Sequence, residues 1–437
     1  MSDSAPPTPK ELGFWMCTAL VVGNTIGMGI FLLPASLAPY GFNALVGWLI
    51  TTVGCIFLAR MFARLARDFP QADSPFSYIQ QTLGPIPAFL AVWTYWFSIW
   101  ITNATLAIGV IGYLVQVLPL AQRLPPAGLA LILIWLFVVV NLMGARTGGR
   151  VQVAGTVLKL VPMAMVMLLG AWVLLHDPAA YSRQLPTTPL SMSASLSAST
   201  LALYAMLGIE SATIPAGRVR DPERTIPRAT LLGTLITAAI YILVSLVLLL
   251  LIPQQQLAQS SAPFVDLLSR FMGSGTGRWI GLFVTISVMG ALNGWTLLIG
   301  ELTASMAAHG VMPAALQKLN RRGAPARALL LSGVLASLIV LMSYSHSLVN
   351  VFTFLTQVVT AANLPLYLLC ALALVAMARS GGFAEPAQLR WLGWLATCYS
   401  LFSFAGIGWS SLGLALGLAV SGLPLYWWMR RVRPSGG

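Results

Sequence analysis

Residues 21–36 read VVGNTIGMGIFLLPAS. The run is apolar enough for a membrane helix, yet Gly23, Asn24, Gly27 and Gly29 interrupt it and Pro34 follows. Glycine is a weak helix former. In hydrocarbon, unwound backbone survives only where it is buried in protein or lines a cavity. A helix broken here therefore predicts a site at the break. A second reading stays open: Gly23 and Gly27 form a GxxxG pattern, whose small residues let two helices pack closely.

The surrounding composition sets the solvent. The 437 residues are 58% hydrophobic and 8% charged, against roughly 25% charged in soluble proteins. A span needs about 20 mostly apolar residues, and 44–59, 129–143, 160–175, 231–252 and 328–342 are core examples. The chain reads as an all-α polytopic membrane protein. MSDSAPPTPKEL at the start lacks the basic region and short apolar core of a cleaved signal, so the first span is expected to stay attached. The net charge of +13 would suggest nucleic acid in a soluble protein, but here the charges flank spans and no nucleic-acid partner is expected. Cys17, Cys55, Cys370 and Cys398 lie apart in apolar runs, and His176, His309 and His346 form no metal motif. No metal, cofactor or catalytic residue is implied.

Twelve spans are expected: 13–38, 42–66, 86–117, 127–145, 151–175, 195–217, 228–252, 277–306, 327–344, 348–378, 389–408 and 410–430. With both termini inside, 19 Lys and Arg residues are cytoplasmic, 4 are outside (Arg123, Arg183, Arg270, Arg278), and Lys159 lies within a span. Basic residues concentrate on the cytoplasmic side of membrane proteins, so the asymmetry predicts this orientation, in the cell (inner) membrane.

The sixth span holds a second weak point, LYAMLGIESATIPAG at 203–217, with Gly208 in mid-span. Interrupted spans that each open a five-span half are the mark of an inverted-repeat transporter. A half-helix start offers free N–H groups that suit a carboxylate. A half-helix end offers free carbonyls that suit an ammonium. An amino acid carries both. The expected organisation is a tail at 1–12, a ten-helix core at 13–378 with repeats at 13–175 and 195–378, two further helices at 389–430, and a cytoplasmic tail at 431–437. Two charges stand out within spans. Glu210 is the one carboxylate expected near mid-membrane, with Glu301 nearer the cytoplasmic end, and Lys159 is the buried cation. Such residues are expensive in a bilayer and usually functional.

GNTIGMGIFLLPASLA, YWFSIWITN, YAMLGIESA followed by DPERTIPRAT, and GALNGWTLLIGELTASMAAHGVMP together resemble the amino acid–polyamine–organocation transporters, most of all the arginine/agmatine and basic amino acid/polyamine antiporter group. The resemblance runs from about residue 10 to the C-terminus. It implies a LeuT-like five-plus-five inverted repeat with two added helices, working by alternating access. It also implies site residues. Asn24, Gly27 and Gly29 match the motif that holds the substrate's carboxylate and α-amino group, with Met28 replacing a serine. Tyr95 and Asn103 match residues of the third span that reach the substrate, and Ser98 stands in place of an alanine. Tyr204 stands where the family has a gating tryptophan, while Leu207 and Gly208 would offer carbonyls to the amino group. Glu210 matches an acidic residue used in coupling or gating. Trp295 matches a tryptophan that stacks on the guanidinium. Lys159 departs from that group. A lysine at this place occurs in related proton-coupled and light-chain-type amino acid transporters, where it stands in for a sodium ion.

Other classes lack their chemistry. An intramembrane aspartyl hydrolase needs paired acids, a zinc hydrolase a motif such as HExxH, and a channel rings of charge or filter loops. The expectation is a secondary amino acid transporter in the lipid bilayer. It would exchange a cationic amino acid for a related amine or amino acid, with proton-coupled transport of neutral amino acids as the alternative. Its partners are the small-molecule substrate and, in that alternative, protons. A homodimer is among the admissible assemblies.

Overall fold

A computed structural model describes residues 13–68, 75–209, 221–343, 347–380 and 385–432. Described residues form helices and connecting turns, with no strand among them. The first expected span is two half-helices, α1 (Phe14–Thr25) and α2 (Gly29–Leu37). α3 (Asn43–Asp68), α4 (Pro75–Leu83), α5 (Pro85–Val117), α6 (Pro126–Leu142), α7 (Ala145–His176) and α8 (Met192–Ala205) follow. The remainder is α9 (Pro222–Leu251), α10 (Gln254–Gln259), α11 (Pro263–Met272), α12 (Ser274–Ala308), α13 (Ala326–Met342), α14 (Leu348–Ser380), α15 (Pro386–Gly406) and α16 (Trp409–Val432). Proline opens many of them, including α5, α6, α9, α11 and α15. Its missing N–H costs nothing in the first turn, where no intrahelical acceptor exists.

Among the described residues seven helices are long and apolar enough to cross a membrane, within 43–65, 85–117, 158–176, 223–251, 274–308, 348–380 and 409–429. α6 and α13 are apolar but only 17 residues each, near the lower limit of about 17 for a span. α1, α2 and α8 are shorter because each ends or begins at a break. The outer faces of α6, α7, α13 and α16 expose Ile132, Leu168, Leu175, Leu338 and Val420, as a surface bathed in lipid requires.

The centre is α5, which packs against both α12 and α14, while α12 packs in turn on α7. α3 lies against α8 and α9, and α9 against α1. Small residues set these distances. A Cβ on Gly47 of α3 would sit 2.7 Å from the Ser199 backbone nitrogen and 2.8 Å from the Ala198 carbonyl carbon of α8. Beside it the Thr51 hydroxyl donates to the Ser199 carbonyl at 2.8 Å.

Gly47→Val should therefore force α3 and α8 apart and cost about 1–3 kcal/mol, the range for overpacking a tight core. Gly417 of α16, where an added Cβ meets nothing within 4 Å, is the control. Thermal denaturation of the detergent-purified variants should give a lower Tm for Gly47→Val and an unchanged one for Gly417→Val. Equal Tm values would mean that α3 and α8 do not approach this closely.

Candidate functional site

The break of the first span lies at 26–28. α1 stops when Ile26 turns extended (ψ 93°), and α2 restarts from Met28, whose carbonyl accepts from Phe31 and Leu32 at 3.0 and 3.2 Å. The carbonyls released at the end of α1 find partners on other helices. Lys159 of α7 donates its Nζ to the Gly23 carbonyl at 3.1 Å. The Tyr241 hydroxyl of α9 donates to the Thr25 carbonyl at 3.1 Å. Lys159 is 2% exposed, so this hydrogen bond lies wholly inside the protein.

The second break follows α8. The chain turns at Met206 and Leu207, and Gly208 adopts φ +98°, a left-handed conformation that glycine takes without steric penalty. Glu210 lies outside the described residues, as does the side chain of Asn24. The two breaks touch. A Cβ on Gly29 would fall 2.8 Å from the Ala205 Cβ and 2.9 Å from its Cα, whereas one on Gly27 would meet nothing within 4 Å. Close packing thus explains Gly29 and not Gly27. Met28 is fully buried, and its side chain fills a notch in α5 at Gly109, where a Cβ would lie 2.5 Å from Met28 Cγ. The added bulk of methionine is absorbed by α5.

Between the breaks and the α5–α12–α14 wall lies a cavity lined by Thr25, Gly27, Met28, Gly29, Ser98, Thr102, Leu106, Tyr204, Ala205, Leu207, Trp295 and Asn363. Its volume is about 20 Å³, room for about one water. Tyr204 closes one side, its ring edge-on to Phe352 of α14 at 6.0 Å.

Of the residues expected from sequence, Gly27, Met28, Gly29, Ser98, Tyr204, Leu207 and Trp295 border this cavity. Gly208 stands one residue beyond the lining. Tyr95 borders a different cavity of about 70 Å³, with Phe76, Leu302, Met306 and His309. Asn103 is 3% exposed and borders neither, and its Oδ1 has no hydrogen-bond partner among the described residues. Sequence reasoning overlooked Thr25, Thr102, Leu106, Ala205 and Asn363. Thr102 and Leu106 were within reach, four and eight residues beyond Ser98 on one helix. Asn363, an amide in an apolar helix two residues before Pro365, was an equally visible signal.

The sequence profile of the amino acid permeases matches residues 12–428. The cadaverine/lysine antiporter of Escherichia coli (strain K12) is 33% identical over 342 residues, 77% of this chain and 76% of the relative. The putrescine transporter PotE of the same strain is 29% identical over 396 residues, 90% of each chain. Among solved structures, the Eremococcus coleocola manganese transporter superposes with a TM-score of 0.61 over 98% of both chains at 15% identity. At that identity the likeness speaks for the fold alone. The profile match over nearly the whole chain and the identity to the cadaverine/lysine antiporter make this protein a member of the amino acid permease family, within the amino acid–polyamine–organocation superfamily.

Proposed function

We propose that the protein is a secondary active transporter that exchanges a cationic amino acid for a related amine or amino acid by alternating access. The observation that carries this reading is the cavity enclosed where two interrupted helices meet. The start of α2 offers N–H groups without intrahelical acceptors, suited to a carboxylate. Leu207 and Gly208 offer backbone to an α-amino group, with the Asn24 side chain as a further polar partner. Trp295 supplies an aromatic face for a distal cation, a contact worth about 0.5–2 kcal/mol. Tyr204 serves as the lid. Tyr95 borders the second cavity, and Asn103 is a polar group buried behind the wall. Relatives named for lysine, cadaverine and putrescine support a substrate bearing a primary amine.

In this reading the chain has twelve spans in the inner membrane with both termini cytoplasmic. Repeats at 13–175 and 195–378 form the transport core, and the helices at 389–430 are an addition. The packing pattern supports the repeat. α3 rests on α8 as α9 rests on α1, and α5 rests on α14 as α12 rests on α7. Each contact becomes its counterpart when the first five spans are exchanged for the second five. α4 leads into α5 as α11 leads into α12.

A second reading, proton-coupled transport of neutral amino acids, is favoured by one observation, the Lys159 bond to Gly23. A charged lysine holds the broken end of α1 to α7. A neutral one holds it more weakly, because hydrogen bonds from charged donors are roughly twice as strong as neutral ones. Lys159 is therefore the proposed coupling residue in either reading, and Glu210 is the second candidate for coupling or gating.

Three measurements follow. Proteoliposomes preloaded with cadaverine should take up radiolabelled lysine, arginine or ornithine several-fold faster than empty vesicles, with alanine unaffected; equal uptake with and without internal amine excludes exchange. Lys159→Ala should flatten the dependence of uptake on pH between about 5 and 8, and a variant with wild-type rate and full pH dependence removes the coupling role. Single cysteines at Arg321 and Ser182, placed in a background lacking exposed Cys398, test topology. An impermeant thiol reagent should label 182 but not 321 in intact cells, and the opposite pattern inverts the protein.

A further inference from the structure

The hydroxyls on the wall facing the breaks have spent their donor hydrogens, and the Asn363 amide has spent one of its two. Ser98 Oγ donates to the Tyr95 carbonyl at 2.7 Å, and Thr102 Oγ1 to the Ser98 carbonyl at 2.7 Å. Asn363 Nδ2 donates to the Val359 carbonyl at 2.9 Å. A carbonyl only accepts, so these bonds fix the direction of each group. Each hydroxyl oxygen can then act toward a ligand only as an acceptor. The Asn363 amide cannot be flipped without setting its oxygen against the Val359 oxygen, so Oδ1 lies on the side away from Val359. Its second N–H is the one spare donor among these three side chains. All three residues are buried and line the cavity.

The opposite end has the reverse character. Thr25 Oγ1 is buried with no partner among the described residues, and Gly29, which opens α2, lines the same cavity. The cavity is therefore polarised, with donors at the break and acceptors on the α5 and α14 wall. No ionisable Asp, Glu, Lys, Arg or His borders it among the described residues. Buried acceptors are costly to leave unmatched. An ammonium brings three donors and a guanidinium five, an alkyl end brings none, and a carboxylate sets lone pairs against lone pairs.

We propose that Ser98, Thr102 and Asn363 read the distal end of the substrate. They select an ammonium or guanidinium end and reject alkyl and carboxylate ends of similar length. This assignment rests on the exchange reading above and moves distal recognition from Asn103 to the face of α5 that borders the cavity.

The test is binding of L-lysine, cadaverine and L-norleucine to the purified full-length protein by titration calorimetry. Norleucine keeps the α-groups and carbon chain of lysine but lacks its terminal ammonium. The wild type should prefer lysine to norleucine by at least about tenfold, the scale of one hydrogen bond to a charged group. Thr102→Val, nearly isosteric, and Asn363→Leu should each lower lysine affinity about tenfold and leave norleucine unchanged. Thr102→Ser, which keeps the acceptor, should retain the preference. Ser98→Ala changes little volume and provides a second reading should Asn363→Leu fail to match the wild-type Tm. If these variants lower lysine and norleucine binding by the same factor, the wall is packing only and the inference falls while the exchange reading stands. If Asn103→Ala abolishes the preference and Thr102→Val does not, distal recognition lies at Asn103 and the inference is overturned. A wild type that binds norleucine but neither lysine nor cadaverine defeats the exchange reading itself, and this assignment with it.

Discussion

A backbone ladder interrupted in a medium without water leaves polar groups that something must satisfy, and the architecture around 26–28 is arranged around that requirement. The Gly23 carbonyl accepts from Lys159 Nζ, and the Thr25 carbonyl accepts from the Tyr241 hydroxyl. These donors come from α7 and α9, elements more than 130 residues away in the chain. The broken helix therefore joins distant parts of the fold. Moving α1 requires these bonds to lengthen or exchange, which connects the site to the scaffold that carries it.

Close approach of small residues completes the enclosure. Gly29 lets α2 reach Ala205, Gly47 lets α3 reach the backbone at Ser199, and Gly109 receives Met28. Of these residues Met28, Gly29 and Ala205 line the central cavity, whose volume is about 20 Å³. A molecule of amino acid size does not fit such a space, and the proposed exchange requires its walls to part. α2 and α8 are the short elements at that seam, and α2 is tied to the long helices behind it: the Tyr113 hydroxyl of α5 donates to the Phe31 carbonyl at 2.6 Å, and the hydroxyls of Ser36 and of Thr353 on α14 meet at 2.6 Å.

The chemistry of the cavity follows from a local habit of Ser, Thr and Asn in helices. Their hydrogens go back to the carbonyl three or four residues earlier, as at Ser98, Thr102 and Asn363. In water this is a minor effect. In a dry cavity it decides polarity, because an oxygen whose hydrogen is committed can only accept. Thr296, beside Trp295 on α12, shows the same habit, donating to the Leu292 carbonyl at 2.7 Å.

Much of this was legible beforehand. The membrane class follows from 58% hydrophobic and 8% charged residues. The break at Gly27–Gly29 and the weak point at Gly208 follow from glycine in an apolar run. Lys159 was conspicuous as a cation inside a span. These are one-dimensional properties, set by transfer free energy and backbone propensity. The sequence alone could not say which face of α5 turns to the site. Tyr95 and Asn103 were expected together, yet Tyr95 lies about one turn from Ser98 along the axis and Asn103 points roughly 100° from its neighbour Thr102. The rotation of a helix about its axis is set by what packs against it, here α12 and α14. That same packing brought Asn363 to the cavity, seated Met28 at Gly109 and carried Lys159 to Gly23. Each pairing joins residues remote in the chain, and only the closed tertiary structure decides which buried donor meets which freed acceptor.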